Sequence, residues 1–411
     1  MKKNLTLNEI RNKSNFFWIK KIIVLSLRFF AIIIELLNKK KFYFKANNRS
    51  HSFFFGYHDK KPFNYKDSQI IFHSYRNPKI LDEQNNKSVF INVIDLKNKK
   101  IFNLDKTKEW SWQLGSSLQW HPKKDIVFYN KQINGKFQTR QIDLKLRKIT
   151  NLNFSIYNIS PDGNNFLTSD FVKIGKLRKG YGYTTTKYQK SLNLKKSKLE
   201  IVINKKDKKI LFLFDETKKK MVTGCYINHQ TFSPDGRKIA YFYTILKKNN
   251  QRQVFFYLYF LKKKRNFLLE LSKSKLISHY CWKNNNEILF TLKKSTKIYS
   301  YILYNIKLNN FKTLDLKLNK DGHPMFNPKN NDLFVSDTYP NLLGFQKLFI
   351  YSLKRKKIIW KKYLYSPYRF KGIVRCDLHP RWSNDGKKIF IDFVENGNRN
   401  IGIFETKILE N

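Results

Sequence analysis

Two hydrophobic patterns divide this chain. Residues 16–37, FFWIKKIIVLSLRFFAIIIELL, form an apolar run interrupted by Lys20, Lys21, Arg28 and Glu35. At about 100° per residue those charges and Asn38 share one narrow face, and the other faces are apolar. The pattern predicts a helix lying in a membrane interface. A single spanning anchor is the second choice, because charges buried in a bilayer are expensive. Packing of the helix on its own domain is the plainer alternative. The basic flank Lys39–Lys41 suits an anionic cytoplasmic leaflet, and no small-residue cleavage site follows the run. The expected location is therefore cytoplasmic, peripheral to a membrane.

From about residue 46 onward, short alternating strands replace the helical period, as in KIAYFYTI, QVFFYLYF, KLFIYSL and KKIFIDF. An aromatic or apolar residue followed by a tight turn precedes many of them. These anchors read FNYKD at Asn64, WHPKKD at His121, ISPDG at Ser160 and FSPDG at Ser233, then WKNNN at Lys283, FNPKNN at Asn327 and WSNDG at Ser383. Seven anchors spaced about 40–70 residues apart predict an all-β, seven-bladed propeller of four-stranded blades. The division is residues 1–45 as the N-terminal helical segment and 46–411 as the propeller. In each blade the turn reverses the chain between the innermost strand and the next, and the aromatic before it packs between blades. Only 28 residues follow the last anchor, so SHSFFFGY (50–57) is expected to supply a missing strand and close the ring. A doubly wound α/β fold is excluded, because no helices alternate with the strands.

Four of the eight histidines stand four residues before a turn anchor: His229, His279, His323 and His379. Chance would place about 0.14 histidines at seven such positions. Equal phase on inner strands predicts that the four imidazoles converge in the central channel. Neutral imidazoles with a nearby carboxylate suit a divalent transition metal. Asp377 and Asp321 stand two residues before His379 and His323, on the same side of the strand. Arg375 and Arg381 bracket His379 and are placed to meet a substrate carboxylate. Repeat-derived hydrogen bonding between blades is the plainer explanation of the ring. His51, His58 and His73 are weaker candidates, and His121 replaces the turn serine.

Charge changes this picture little. Lys and Arg number 82 against 30 Asp and Glu, a net +52, but the lysines are spread through loops rather than gathered on one face. Their abundance alongside Asn, Ile, Phe and Tyr reflects AT-rich coding. No specific nucleic-acid partner is expected, while acidic sugars and anionic lipid are. Three distant cysteines exclude a disulfide framework.

With these motifs in place, the propeller resembles the oligogalacturonate lyase family, which cleaves pectin oligomers by β-elimination with manganese. The family carries histidines at the same phase in four consecutive blades, in motifs such as GHPxxxP, THEFWxPDG, SHLMxxxDG and QxxHPHPSFTPD. The resemblance implies His229 as general base and a metal, Mn2+ or another divalent transition ion, held by His279, Asp377 and His379. It leaves His323 and Asp321 to substrate binding and Arg375 or Arg381 to a carboxylate. Departures are plain: Val374 stands where the family has a ligating Gln, Asp377 replaces a ligating His, and the family's arginine falls near Lys198. The stretches FFGYHDKKPFN, DGHPMFNPKNN, DTYP (337–340) and RCDLHPRWSNDG are similar to propellers that accompany surface-polysaccharide genes. The expected function is a metal-dependent lyase on uronic-acid oligosaccharides. A membrane-associated glycan-binding or protein-interaction scaffold is the alternative. The loop KGYGYTTTKY (179–188) is either a cover for a sugar or an ordinary connection.

Overall fold

The computed structural model describes residues 42–46, 50–76, 87–183, 192–249, 251–314 and 317–406, with isolated positions 22, 26, 29 and 33. The helix expected over 16–37 lies outside the described residues apart from those positions. Among the described residues no helix is long and apolar enough to cross a membrane.

Seven four-stranded antiparallel sheets form a propeller. Blade I comprises His51–Phe54, Gln69–Arg76, Val89–Asp95 and Ile101–Thr107, and blade II Gln119–Trp120, Ile126–Ile133, Lys136–Asp143 and Lys148–Leu152. Blade III comprises Ile156–Ile159, Asn165–Thr168, Lys196–Ile203 and Asp207–Asp215. Blade IV runs Val222–Phe232, Lys238–Lys247, Arg252–Phe260 and Arg265–Leu268. Blade V has Ile277–Trp282, Glu287–Lys293, Tyr299–Asn305 and Asn310–Thr313. Blade VI has Met325–Phe326, Leu333–Asp337, Phe345–Ser352 and Lys357–Tyr365. Blade VII takes three strands from the C-terminal end, Arg381–Trp382, Lys388–Glu395 and Asn398–Glu405. Its outer strand is Phe44–Lys45, with Phe44 opposite Ile403 and Lys45 opposite Gly402.

That closure corrects the expectation for residues 50–57. His51–Phe54 is the inner strand of blade I, and two residues before position 46 close the ring instead. The physical reason is that an inner strand must pass the channel, whereas the vacant slot in blade VII is an outer edge. Phe42, just before it, stacks on Phe404 and Phe393 at 4.5 and 4.9 Å.

The turn anchors behave as their chemistry predicts. Ser233 Oγ accepts the Lys238 N–H at 2.9 Å and Ser383 Oγ accepts that of Lys388 at 2.9 Å, so each hydroxyl holds the following turn. The tryptophans before the turns reach the preceding blade: Trp120 Nε1 donates to the Pro62 carbonyl at 2.7 Å, Trp282 Nε1 to Thr231 Oγ1 at 3.0 Å and Trp382 Nε1 to the Met325 carbonyl at 3.1 Å. The apolar core lies between blades. One cluster joins Ile403 and Phe390 of blade VII to Ile70 and Ile71 of blade I and Val127 of blade II.

A seven-residue helix interrupts one blade. Phe171–Leu177 is inserted in blade III, capped by Asp170, whose side chain accepts the Lys173 N–H at 2.9 Å. It carries Arg178 and Tyr181 toward the channel.

Candidate active site in the propeller channel

The four phased histidines do meet in the channel. The His279 and His323 rings lie 4.2 Å apart and those of His323 and His379 4.4 Å. His229 stands across from them, joined through Tyr57, whose ring stacks on it at 4.1 Å and approaches His379 at 5.0 Å. Regular strand alternation does not produce this meeting. His229 sits in a bulge between Asn228 and Thr231, with φ 52°, and His379 has φ 43°. Both occupy the left-handed region that costs a non-glycine residue about 1–2 kcal/mol, a strain that concentrates at functional sites. His323 and His379 both precede the short inner strands of their blades.

His323, Asp377 and His379 each place a ligand atom within 4.8 Å of the others. His323 Nδ1 donates to Asp337 Oδ1 at 2.9 Å, and His379 Nδ1 donates to the Gly56 carbonyl at 2.8 Å. Each bond fixes the ring and leaves Nε2 free, as in metal-binding histidines oriented from behind. His323 Nε2, His379 Nε2 and Asp377 Oδ1 are all buried and have no hydrogen-bond partner among the described residues. Three unsatisfied lone pairs at one point would be costly without a ligand, so these residues fit a divalent cation.

His279 lies outside that trio. Its Nδ1 pairs with Asp321 Oδ1 at 3.2 Å, and Asp321 also accepts from Ser278 Oγ at 2.7 Å. Asp321 is thus an orienter of His279 within the wall. Arg375 Nε holds Asp377 Oδ2 at 2.6 Å, and its guanidinium also donates to the Tyr181 hydroxyl. Arg381, expected beside it at a substrate, is instead fully buried and occupied. It pairs with Asp392 at 2.8 Å and donates to the Gly56 and Tyr57 carbonyls, clamping the segment that carries Tyr57. Lys198 pairs with Glu200 at 2.5 Å in blade III, and the arginine beside His229 is Arg178.

Electrostatics follow burial. Burial pushes His58, His229 and His379 well below the ordinary imidazole range, helped by neighbouring cations and imidazoles. Burial lowers His279 too, against Asp321. For His323 burial also disfavours charge, yet the carboxylates of Asp337, Asp377 and Asp321 outweigh it and raise the pKa. The carboxylates thus favour positive charge at His323, whereas burial, Arg381 and Arg375 oppose it at His379.

Sequence reasoning passed over Tyr57, Asp337 and Arg178 and ranked His58 only as a weaker candidate. Tyr57 and His58 come from FFGYHDKKPFN; His58 stands 5.1 Å from the His323 ring and 5.8 Å from His279. Asp337 of DTYP accepts from the backbone N–H of His323 at 2.8 Å and of His379 at 3.1 Å, locking blades VI and VII together. Arg178 stacks on the Tyr181 ring at 3.5 Å, and among the described residues it has no carboxylate partner. Both stretches stood out in the sequence, but their reach across the channel is a property of the closed ring. His121 is structural, its Nδ1 accepting the Lys123 N–H at 3.0 Å.

Two cavities meet at Tyr57, His229 and His279. One of about 610 Å³ is lined by Arg178, Tyr181, Arg252, Tyr339 and Arg375. The other, about 560 Å³, opens toward the inner turns past His58 and Trp282.

No protein-family model matches this sequence, and neither does any curated protein. The fold is similar to solved structures. An oligogalacturonate lyase in complex with manganese superposes with a TM-score of 0.63 at 12% identity, covering 90% of this chain and 96% of that one. The oligogalacturonate lyase of Vibrio parahaemolyticus gives 0.62 at 11% identity over 88% and 93%. A prolyl endopeptidase gives 0.51 at 8% identity, over 89% of this chain and 51% of its own. These likenesses establish the seven-bladed propeller.

Proposed function

We propose that this chain is a metal-assisted, lyase-like propeller acting on uronic-acid oligosaccharides, in surface-polysaccharide metabolism. The observation that carries this reading is the trio of buried ligand atoms on His323, Asp377 and His379 that have no hydrogen-bond partner among the described residues. Two imidazoles and a carboxylate with open positions suit Mn2+ or Fe2+. The solved lyase in complex with manganese adds support from a similar fold. When bound, the ion would draw charge from a uronate carboxylate as a Lewis acid.

The protein residues supply the rest. Arg178, a cation without a carboxylate partner among the described residues, meets the substrate carboxylate at the 610 Å³ cavity, and Arg375 stands beside it. His229, held neutral by burial, takes the proton from C5. The C5–H electron pair becomes the C4–C5 double bond. The C4–O4 bond breaks, and O4 leaves with its electrons and is protonated from solvent. Tyr181 and Tyr339 wall the cavity.

A glycan-binding platform without turnover is the second reading. It is favoured by Tyr57, whose stacked ring shields His229. Incubation of the manganese-loaded chain with oligogalacturonates and other uronic-acid oligosaccharides separates the two. Ultraviolet absorbance of an unsaturated product, lost in His229→Ala, supports the lyase. Binding without that product supports the platform, and neither binding nor product rejects both.

A further inference from the structure

His229 is not a free imidazole. Its Nδ1 lies 3.0 Å from the Tyr157 hydroxyl, and that hydroxyl lies 2.9 Å from Asp59 Oδ2. Asp59 Oδ1 in turn receives Lys60 Nζ at 2.9 Å, and the same ammonium sits 4.1 Å from the centre of the Tyr157 ring. All four groups are buried: Tyr157 is fully enclosed, and the Lys60 and Asp59 side chains are 4% and 8% exposed. His229 Nε2 has no partner among the described residues, and the ring lines both cavities.

Proton counting decides the direction of this chain. The phenol has one hydrogen, and the ion-paired carboxylate can only accept. The Tyr157 proton therefore goes to Asp59, and the phenol oxygen turns its lone pair to His229. An imidazole facing an acceptor at Nδ1 must carry its proton there. The lone pair is then on Nε2, toward the cavities.

We propose that Tyr157, anchored by the Asp59–Lys60 pair, is a positioning residue that locks His229 in the Nδ1–H tautomer and presents Nε2 as the proton acceptor. This rests on the lyase reading for its use, but the tautomer itself does not depend on any substrate. In the reaction the C5 proton arrives at Nε2 while Nδ1–H stays on Tyr157, so the imidazolium forms without ring rotation. Asp59 lies one hydrogen bond further and offsets the new charge.

The experiment uses the full chain labelled with 15N-histidine, without substrate, with the His229 signals assigned by their loss in His229→Ala. The expected spectrum shows a protonated Nδ1 and an unprotonated Nε2. Tyr157→Phe keeps the ring that stacks on Phe171 at 6.0 Å and removes the hydroxyl that accepts from His229 and donates to Asp59. It should shift His229 toward the Nε2–H form, and Asp59→Asn should do so in part. Where oligosaccharide is cleaved, Tyr157→Phe should lower kcat at least 10-fold with KM changed less than 2-fold. A wild-type His229 protonated on Nε2, or a tautomer unmoved in both variants at unchanged circular dichroism, overturns the proposal. Should Tyr157→Phe fail to fold, the wild-type spectrum and Asp59→Asn still decide it. Absence of lyase activity with the expected tautomers would reject the proposed function and leave the tautomer lock standing.

Discussion

At the scale of single residues, the chemistry rests on side chains held from behind. Asp337 grips His323 at Nδ1 and at the backbone, and also holds the His379 N–H. Replacing Asp337 by Asn should weaken Mn2+ binding about 10–100-fold, the usual cost of losing such a partner, measured by isothermal titration. His323→Ala combined with His379→Ala should abolish binding in elemental analysis, while His279→Ala should retain bound metal. The reverse outcome, metal lost with His279 alone, would return the site to the set that the family resemblance implied. Gly322 has a steric role beside this pair. A Cβ there would run into the Asp337 carbonyl and the Tyr301 and Ser336 hydroxyls, so Gly322→Ala should displace His323 and lower metal affinity as well.

At the scale of elements, ring closure and the inserted helix matter most. Phe44 is buried in a cluster that spans blades VII, I and II. Phe44→Ala should cost about 3–5 kcal/mol, the range for truncating a buried Phe. Phe102, 41% exposed on the outer strand of blade I, should tolerate the same change within about 0.5 kcal/mol. Urea unfolding of both variants checks the contrast, and equal effects would mean that the two-residue strand does not close the ring. The inserted helix Phe171–Leu177 serves the site instead, bringing Arg178 and Tyr181 to the channel. Arg178→Ala should raise KM for an acidic oligosaccharide and leave metal content unchanged, because Arg178 touches no member of the trio.

At the scale of the whole molecule, burial of histidines makes the fold acid-sensitive. Seven of the eight have lowered pKa values, His73 to about 3 and His121 to about 4. Each binds a proton in the unfolded chain near the ordinary imidazole value of 6.5 and less readily in the native one. Their contribution is therefore complete above pH 6.5 and is lost as pH falls below it, down to about 4 for His121 and about 3 for His73, at up to about 1.4 kcal/mol per proton per pH unit. His323 is raised and acts in the opposite sense, as does Glu109, which burial pushes up to about 7 from 4.5. Buried Asp392 is raised as well, and three opposing groups do not balance seven. The melting temperature should fall from pH 7.5 to pH 5, and a constant or rising value would contradict the buried, neutral histidines. The net charge of +52 leads to a separate proposal at this scale, attachment to an anionic membrane. Co-sedimentation with phosphatidylserine vesicles, weakening with salt, would support it, and equal binding to neutral vesicles would reject the electrostatic basis.

How much of this was legible in the chain depends on the range of the interaction. Seven anchors such as FSPDG and WSNDG determined seven blades, because the turn and the tryptophan before it act within one blade and its neighbour. The phase of His229, His279, His323 and His379 likewise placed them in the channel. What only the tertiary structure decided needs the closed ring. Two residues at Phe44–Lys45 complete a sheet whose other strands begin at Arg381, and Tyr57 meets His229 and His379 from a segment remote in sequence. The choice of His323 over His279 for the trio turns on bulges and left-handed residues that strand alternation cannot foresee. Local turn chemistry is written in adjacent residues, whereas the donor atoms at the centre are set by seven blades closing on one axis.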